Sequence, residues 1–306
     1  MRKLSILLIL ICGCSGPDSE EAETPAGAVP ATLAFAGNLE DKNIAEASGL
    51  TASQRRPDIL WTHNDSGAKA RLYAIDLGGR SVGRAKLKKA DNIDWEDIAS
   101  FTLDETPYLL VADVGDNEHK RDTVMLYVVE EPDLAVDANP EITPAWRIEF
   151  SYPGGPRDVE SVAVDIDNQR ILLLAKRTIP AELYSLPLLP KSDEPQIATF
   201  LGEISSLPQP SQRDVDFALK TKSWHWQPTA MDIAPDGSAI AIVTLAPAVY
   251  LYERDGDWQN TLQAAPLKFA LRGIREPESI AYSADGKSLY ISHEKKHAAL
   301  LRIDFN

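Results

Sequence analysis

Short runs in which apolar and β-branched residues alternate with small polar ones recur along the chain, in pairs separated by turns. The clearest lies between Glu276 and Phe305: Glu-Pro-Glu-Ser-Ile-Ala-Tyr-Ser, the turn Ala-Asp-Gly-Lys, Ser-Leu-Tyr-Ile-Ser-His and, after a connection, Ala-Leu-Leu-Arg-Ile-Asp-Phe. An Asp-Gly turn between such runs predicts an antiparallel hairpin followed by a third strand. Variants of the unit begin at Ser48, Glu96, Glu160 and Thr229, aligned with Glu278. A repeat of roughly 50 residues built from short antiparallel strands predicts an all-β fold, a β-propeller. Five units are visible, so five blades are expected; six or seven is the alternative, with a degenerate blade between Leu188 and Trp226. The last unit lacks a fourth strand, and Thr32–Leu39 is expected to supply it. That closes the ring with the N-terminal strand and removes the exposed sheet edges. Pro187–Pro195 and Leu207–Thr221, rich in Pro, Ser, Gln and charge, read as loops.

The first 30 residues break this pattern. Residues 1–14 carry a basic start at Arg2 and Lys3, an apolar run from Leu4 to Ile11, and Gly13 before Cys14, which together read as a signal peptide too short to span a bilayer. Ile11-Cys12-Gly13-Cys14 resembles the bacterial lipobox, which implies lipidation of Cys14 and a membrane anchor; Ser15 after the cysteine implies sorting to the outer membrane, facing the periplasm or the surface. Residues 15–30 are Gly, Pro, Ser, Ala and Glu and read as a flexible acidic tether. Residues 31–306 are expected to form a single propeller domain. Both cysteines lie in the leader, so the propeller must be stabilised by packing and sheet closure without disulfides. Removing the charges of Arg2 and Lys3 takes the formal net charge from −15 to −17. Such a surface excludes nucleic acid as a partner and favours cations.

The repeat also sorts the polar residues. The start of each first strand and the end of each second share one rim, and the first strand is the innermost. Strand starts bring Glu46, Glu96, Glu160 and Glu278 to that rim, with Ser48 and Thr229 between them. Strand ends bring His63, Asn64 and Asp65, then Asp113, Asp116 and Asn117, then Lys176 and Arg177, then His293. Converging carboxylates repel unless a cation sits among them, and an oxygen-only set suits a hard ion, Ca²⁺ first. The metal ligands expected are therefore Glu46, Glu96, Glu160 and Glu278. The plainer alternative is that each Glu caps backbone groups of the neighbouring blade. Asn64, Asp65, Asp113, Asp116, Asn117, Lys176, Arg177 and His293 are candidates for ligand binding, the two cations for an anion bridging to the metal. His293-Glu294-Lys295-Lys296-His297 matches a zinc-protease pentad, but it follows a strand, and that chemistry needs a helix to bring both histidines to one ion.

The motifs Glu-Ala-Ser-Gly-Leu, Trp61-Thr-His-Asn-Asp-Ser-Gly67, Asp94-Trp-Glu-Asp-Ile-Ala99 and Asp113-Val-Gly-Asp-Asn117 resemble a family of exported bacterial propellers. More loosely, Glu at the strand starts is similar to the calcium-dependent gluconolactonase and paraoxonase propellers, and Ser-Gly-Leu to the esterase-like phytase propellers. Those families imply an axial divalent ion holding a lactone or phosphate oxygen, with Glu46 or Glu278, Asn64 or Asn117, and Asp65 or Asp116 as carry-over positions.

The function expected is therefore an anchored propeller that binds a ligand or an envelope protein at an acidic, Ca²⁺-containing rim. The alternative is a Ca²⁺-dependent hydrolase of lactones or phosphate esters, in which the ion polarises an oxygen and His63 or a rim Glu such as Glu96 acts as base.

Overall fold

A computed structural model describes residues 31–221, 224 and 226–305. The leader, Cys14 and the tether lie outside the described residues. The strands are β1 (Ala31–Asn38), β2 to β5 (Ala47–Ala52, Ile59–Asn64, Arg71–Asp76, Ser81–Leu87), β6 to β8 (Trp95–Leu103, Thr106–Asp113, Val124–Glu130), β9 (Glu141–Ile142), β10 (Trp146–Ser151), β11 to β13 (Val159–Asp165, Arg170–Ala175, Ala181–Pro187), β14 (Gln196–Ile197), β15 (Thr199–Ile204), β16 to β18 (Pro228–Ile233, Ala239–Thr244, Ala248–Glu253), β19 (Leu267–Ala270) and β20 to β22 (Pro277–Tyr282, Ser288–His293, Ala299–Phe305).

They form five sheets, each a blade. Blade 1 is β2-β3-β4-β5, blade 2 β6-β7-β8-β10, blade 3 β11-β12-β13-β15 and blade 4 β16-β17-β18-β19. Blade 5 is β20-β21-β22-β1, in which the N-terminal strand runs antiparallel to β22 and closes the ring. The inner strands touch in cyclic order, β2 to β6 to β11 to β16 to β20 and back to β2. The protein is a five-bladed β-propeller.

Apolar residues on both faces of the blades pack between neighbours, because a blade buried on both sides has no face left for water. Trp61, Trp95 and Trp258 are fully buried, each stabilising by about 3–5 kcal/mol relative to alanine. Polar staples cross the blades where burial would otherwise strand a group: the buried Glu131 carboxylate accepts from Trp61 Nε1 at 2.9 Å and Gln54 N at 2.9 Å, as well as from Ser53 Oγ.

Two expectations are corrected. The stretch read as a loop at Leu207–Thr221 contains helix α1 (Gln212–Thr221), and the stretch from Leu188 to Trp226, where a sixth blade was the alternative, holds β14 added to the edge of blade 2, the fourth strand β15 of blade 3, and this helix. The helix start was legible: Ser211 and Asp214 form a reciprocal capping box, with Ser211 N donating to Asp214 Oδ2 at 2.9 Å and Asp214 N to Ser211 Oγ at 3.3 Å. The register at the strand starts also differs, because each inner strand carries a β-bulge there. Pro277, not Glu278, pairs with His293, and the ladder resumes at Ser279. The bulges fall at Glu96, Glu160, Thr229 and Glu278, and in blade 1 at Gly49, one residue after Ser48.

Candidate metal centre at the upper mouth

A bulged residue has no partner across the ladder, so its side chain is free to be re-aimed, here toward the upper mouth of the ring. A second acidic or amide residue stands two positions earlier in four blades: Asp94 before Glu96, Asp158 before Glu160, Gln227 before Thr229 and Glu276 before Glu278. Two oxygen sets result. Asp65, Asp94 and Glu96 each place one carboxylate oxygen within 4.8 Å of the others, and so do Glu96, Asp158 and Glu160, the second set fully buried.

Backbone clamps hold these groups in place. Asp113 accepts from Asp94 N at 3.0 Å and pairs with Arg121 at 2.8 Å, fixing the segment before β6. Asn92 Nδ2 donates to the carbonyls of Asn64 at 3.0 Å and Asp65 at 2.9 Å, tying that segment to the end of β3. Asp158 accepts from Asp116 N at 2.9 Å and from Arg177 Nε at 2.5 Å. Gly115 leaves room for the cluster: a Cβ there would fall 2.6 Å from the Asp94 carboxyl carbon.

The electrostatics are those of a site with too little positive charge. Lys176, largely buried, pairs with Glu160 Oε1. Glu160 Oε2 is buried with no hydrogen-bond partner among the described residues. Burial, outweighing Lys176, lifts the Glu160 carboxyl to about 7. Burial and the neighbouring Glu160 push Glu96 and Glu278 well above the carboxylate range. Burial, then Asp65, lifts Asp94 to about 6 and Glu294 to about 8. Burial disfavours the Lys176 ammonium, but Glu160, Glu278 and Glu96 together hold it above its ordinary value.

Several residues expected at the site occupy other roles once the fold is formed. His63 is fully buried, edge-to-face with Trp95 at 5.5 Å, and burial lowers it to about 4. It is a neutral core residue beneath Gly49 and not a base at the mouth. Glu46, expected as a metal ligand, is exposed and belongs to neither oxygen set among the described residues. Asn64 is spent on the chain, accepting from Ala45 N at 2.9 Å and donating to Asn43 O at 2.7 Å. Asp116 accepts from Lys120 N and Arg121 N, both at 2.9 Å. Asn117 accepts from Arg177. His293 is half-buried, its Nε2 accepting from Ala299 N at 3.4 Å, and the pentad it begins lies between two strands and off any helix.

Asp65, Glu96, Glu160, Glu278 and Lys176 remain at the mouth. Asp94, Asp158 and Glu294 join them, and the spacing acid-x-Glu at Asp94–Glu96, Asp158–Glu160 and Glu276–Glu278 is the signal that marks two of these three. The donor set is oxygen only, as a hard cation requires. Glu160 Oε2 is an acceptor aimed at no protein donor among the described residues, and Gly115 is a cradle that a side chain would fill. These residues fit a divalent cation of the Ca²⁺ type.

The class is thus a five-bladed β-propeller with an acidic mouth, a scaffold for binding a ligand or partner. No family model matches the chain, and no curated protein does. Among solved structures it is similar to a luciferin-regenerating enzyme (8% identity, TM-score 0.46, covering 90% of this chain and 95% of that one). It is also similar to U3-55K (12%, 0.42, 84% and 67%) and to the WD40 repeats of RRP9 (11%, 0.43, 85% and 67%).

Proposed function

We propose that the protein binds a divalent cation, Ca²⁺ in the first place, at its upper mouth, and that the bound ion holds an anionic ligand or partner there. The unpartnered Glu160 Oε2 beside Glu96 and Asp158 is the observation that carries this reading. Glu96, Asp158 and Glu160 would supply the inner oxygens, and Asp65 and Asp94 an outer wall that shares Glu96. The ion would add positive charge where a ligand's phosphate or carboxylate could reach it, with Lys176 and Arg177 beside it as further donors.

Binding is favoured over hydrolysis because His63, one of the two expected bases, is fully buried beneath Gly49, and Glu96, the other, is buried within the oxygen sets. The purified propeller, offered aryl esters, aryl phosphates and lactones with Ca²⁺ and with EDTA, should give no chelator-sensitive turnover; such turnover would replace the binding reading with the hydrolase. We also propose export and anchoring through Cys14 at the outer membrane, resting on the lipobox-like leader. Mass analysis tests it: Cys14→Ser should abolish acylation, and a wild-type mature N-terminus that is not an acylated Cys14 would refute it.

A further inference from the structure

The opposite end of the ring carries a second set of polar groups that the upper mouth does not use. A cavity of about 240 Å³ opens at the lower mouth and runs into one of about 730 Å³ between blades 4 and 5, the two sharing Ala234, Pro235, Asp236, Tyr282 and Ala284. Tyr282 lines both. It is only 3% exposed, and its hydroxyl has no hydrogen-bond partner among the described residues. A buried hydroxyl without a partner is costly unless something else supplies one.

Around it the walls alternate in character. Asp232 and Asp236 flank the axial side, the Asp232 carboxylate held rigid by Tyr282 N at 2.8 Å and Ile233 N at 2.9 Å. An apolar stretch of Pro235, Leu251 and Phe305 follows, with the Phe305 ring 6.5 Å from that of Tyr282. Asp285, on the β20–β21 turn of blade 5, stands level with Asp236 on the β16–β17 turn of blade 4, and Glu253, at the end of the third strand β18, stands at the outer side. Among the described residues the one cation lining this outer cavity, Arg254, is engaged by Asp167 at 3.0 Å, by Asp165 at 3.7 Å and by the Trp258 ring at 4.8 Å. Hydrogen bonds from Ser238 and Ser283 hold Asp236 and Asp285 below the ordinary carboxylate value, so both are charged at neutral pH.

Carboxylates at two ends of an apolar trough match a chain that alternates ammonium groups with methylenes. We infer that the lower mouth binds a linear polyamine, one ammonium seated between Asp232, Asp236 and the Tyr282 hydroxyl, and a second reaching Glu253. The hydroxyl accepts a hydrogen bond from the first ammonium, and the methylenes lie along Leu251 and Phe305. This site is independent of the cation proposed at the upper mouth.

Calorimetry of the purified full chain with spermidine, in about 150 mM salt and EDTA, tests it. One saturable site is expected, with a Kd on the order of 10 µM. Tyr282→Phe should weaken binding about tenfold and Glu253→Gln about threefold, while Glu160→Gln leaves it unchanged. Absence of a saturable site would overturn the inference, as would loss of binding in Glu160→Gln, which would place spermidine at the upper mouth. Unchanged affinity in Tyr282→Phe would overturn it as well. Should Tyr282→Phe fail to fold, the exposed Glu253→Gln and Asp236→Asn decide, and wild-type affinity in both would refute the site. Binding of maltose in place of spermidine would show a saccharide site instead.

Discussion

Lys176 pairs with one carboxylate oxygen of Glu160 and leaves the other, Oε2, buried and without a partner among the described residues. The protein thus carries part of the positive charge its upper mouth needs, and a divalent ion would supply the rest. Lys176→Met should then destabilise the metal-free protein by about 3 kcal/mol at neutral pH, the cost of breaking one partner out of a buried pair. Chemical denaturation with EDTA and with millimolar Ca²⁺ checks this. The loss should shrink when Ca²⁺ is present and at pH 5, where Glu160 is protonated.

Gly115→Ala places a Cβ 2.6 Å from the Asp94 carboxyl carbon. Asp94 and Glu96 must give way, while the blades, which do not rest on this residue, stay folded. The expected outcome is a Ca²⁺ affinity at least about tenfold weaker with far-UV circular dichroism unchanged.

In EDTA, stability should fall as pH rises from 6.5 to 8.5. Glu160 and Asp232 lose their protons near 7 and Glu294 near 8 in the folded chain, all lifted by burial. The unfolded chain has given them up by about pH 4 to 5. The folded state therefore binds more protons across this window, and raising pH removes that advantage, by about 2 kcal/mol or more in total. Ca²⁺ should flatten the upper part of the curve through Glu160 and Glu294, leaving the share of Asp232, which lies at the other mouth. Denaturation at half-unit pH steps, with and without Ca²⁺, provides the check.

Asp97 is a brace, with its fully buried carboxylate accepting from Ile98 N at 2.9 Å and from Val162 N in the next blade at 2.8 Å. Asp97→Asn turns one acceptor into a donor facing a backbone N–H. It should cost about 2 kcal/mol and leave the Ca²⁺ response intact, which thermal unfolding in both conditions would show.

The strand pattern was legible because a propeller blade repeats its own chemistry. The hairpin at Ala284–Lys287, the inner strands near Glu96, Glu160 and Glu278, and the closing strand near Thr32 follow from alternation and turn residues. The bulges were not legible, since an extra residue leaves no mark on composition, and they shifted Glu278 off His293 and put Gly49 where Ser48 was expected. The acidic rim could be read as a rim, but the division of labour within it could not. Asn64, Asp113 and Asp116 look like ligands in sequence, yet their oxygens are consumed by backbone N–H groups that only the folded loops bring near. His63 sits in a polar motif but is buried because Trp95, from the next blade, covers it. The acid-x-Glu spacing points to Asp158, and its pairing with Arg177 follows from the β11–β12 hairpin, but its approach to Glu96 depends on the packing of blade 3 against blade 2.

The most direct test is a Ca²⁺ titration of wild type and Glu160→Gln followed by calorimetric unfolding. Wild-type Tm should rise with Ca²⁺ and saturate, the gain reaching about 2.7 kcal/mol when free ion is a hundredfold above Kd. Glu160→Gln should lose most of that gain; in EDTA it should be less stable than wild type, because the buried Lys176 ammonium loses its partner, so the diagnostic is the missing Ca²⁺ response. A wild-type Tm that stays flat through millimolar Ca²⁺, with a Glu160→Gln loss that EDTA does not alter, would show that the carboxylates brace the blades and hold no ion.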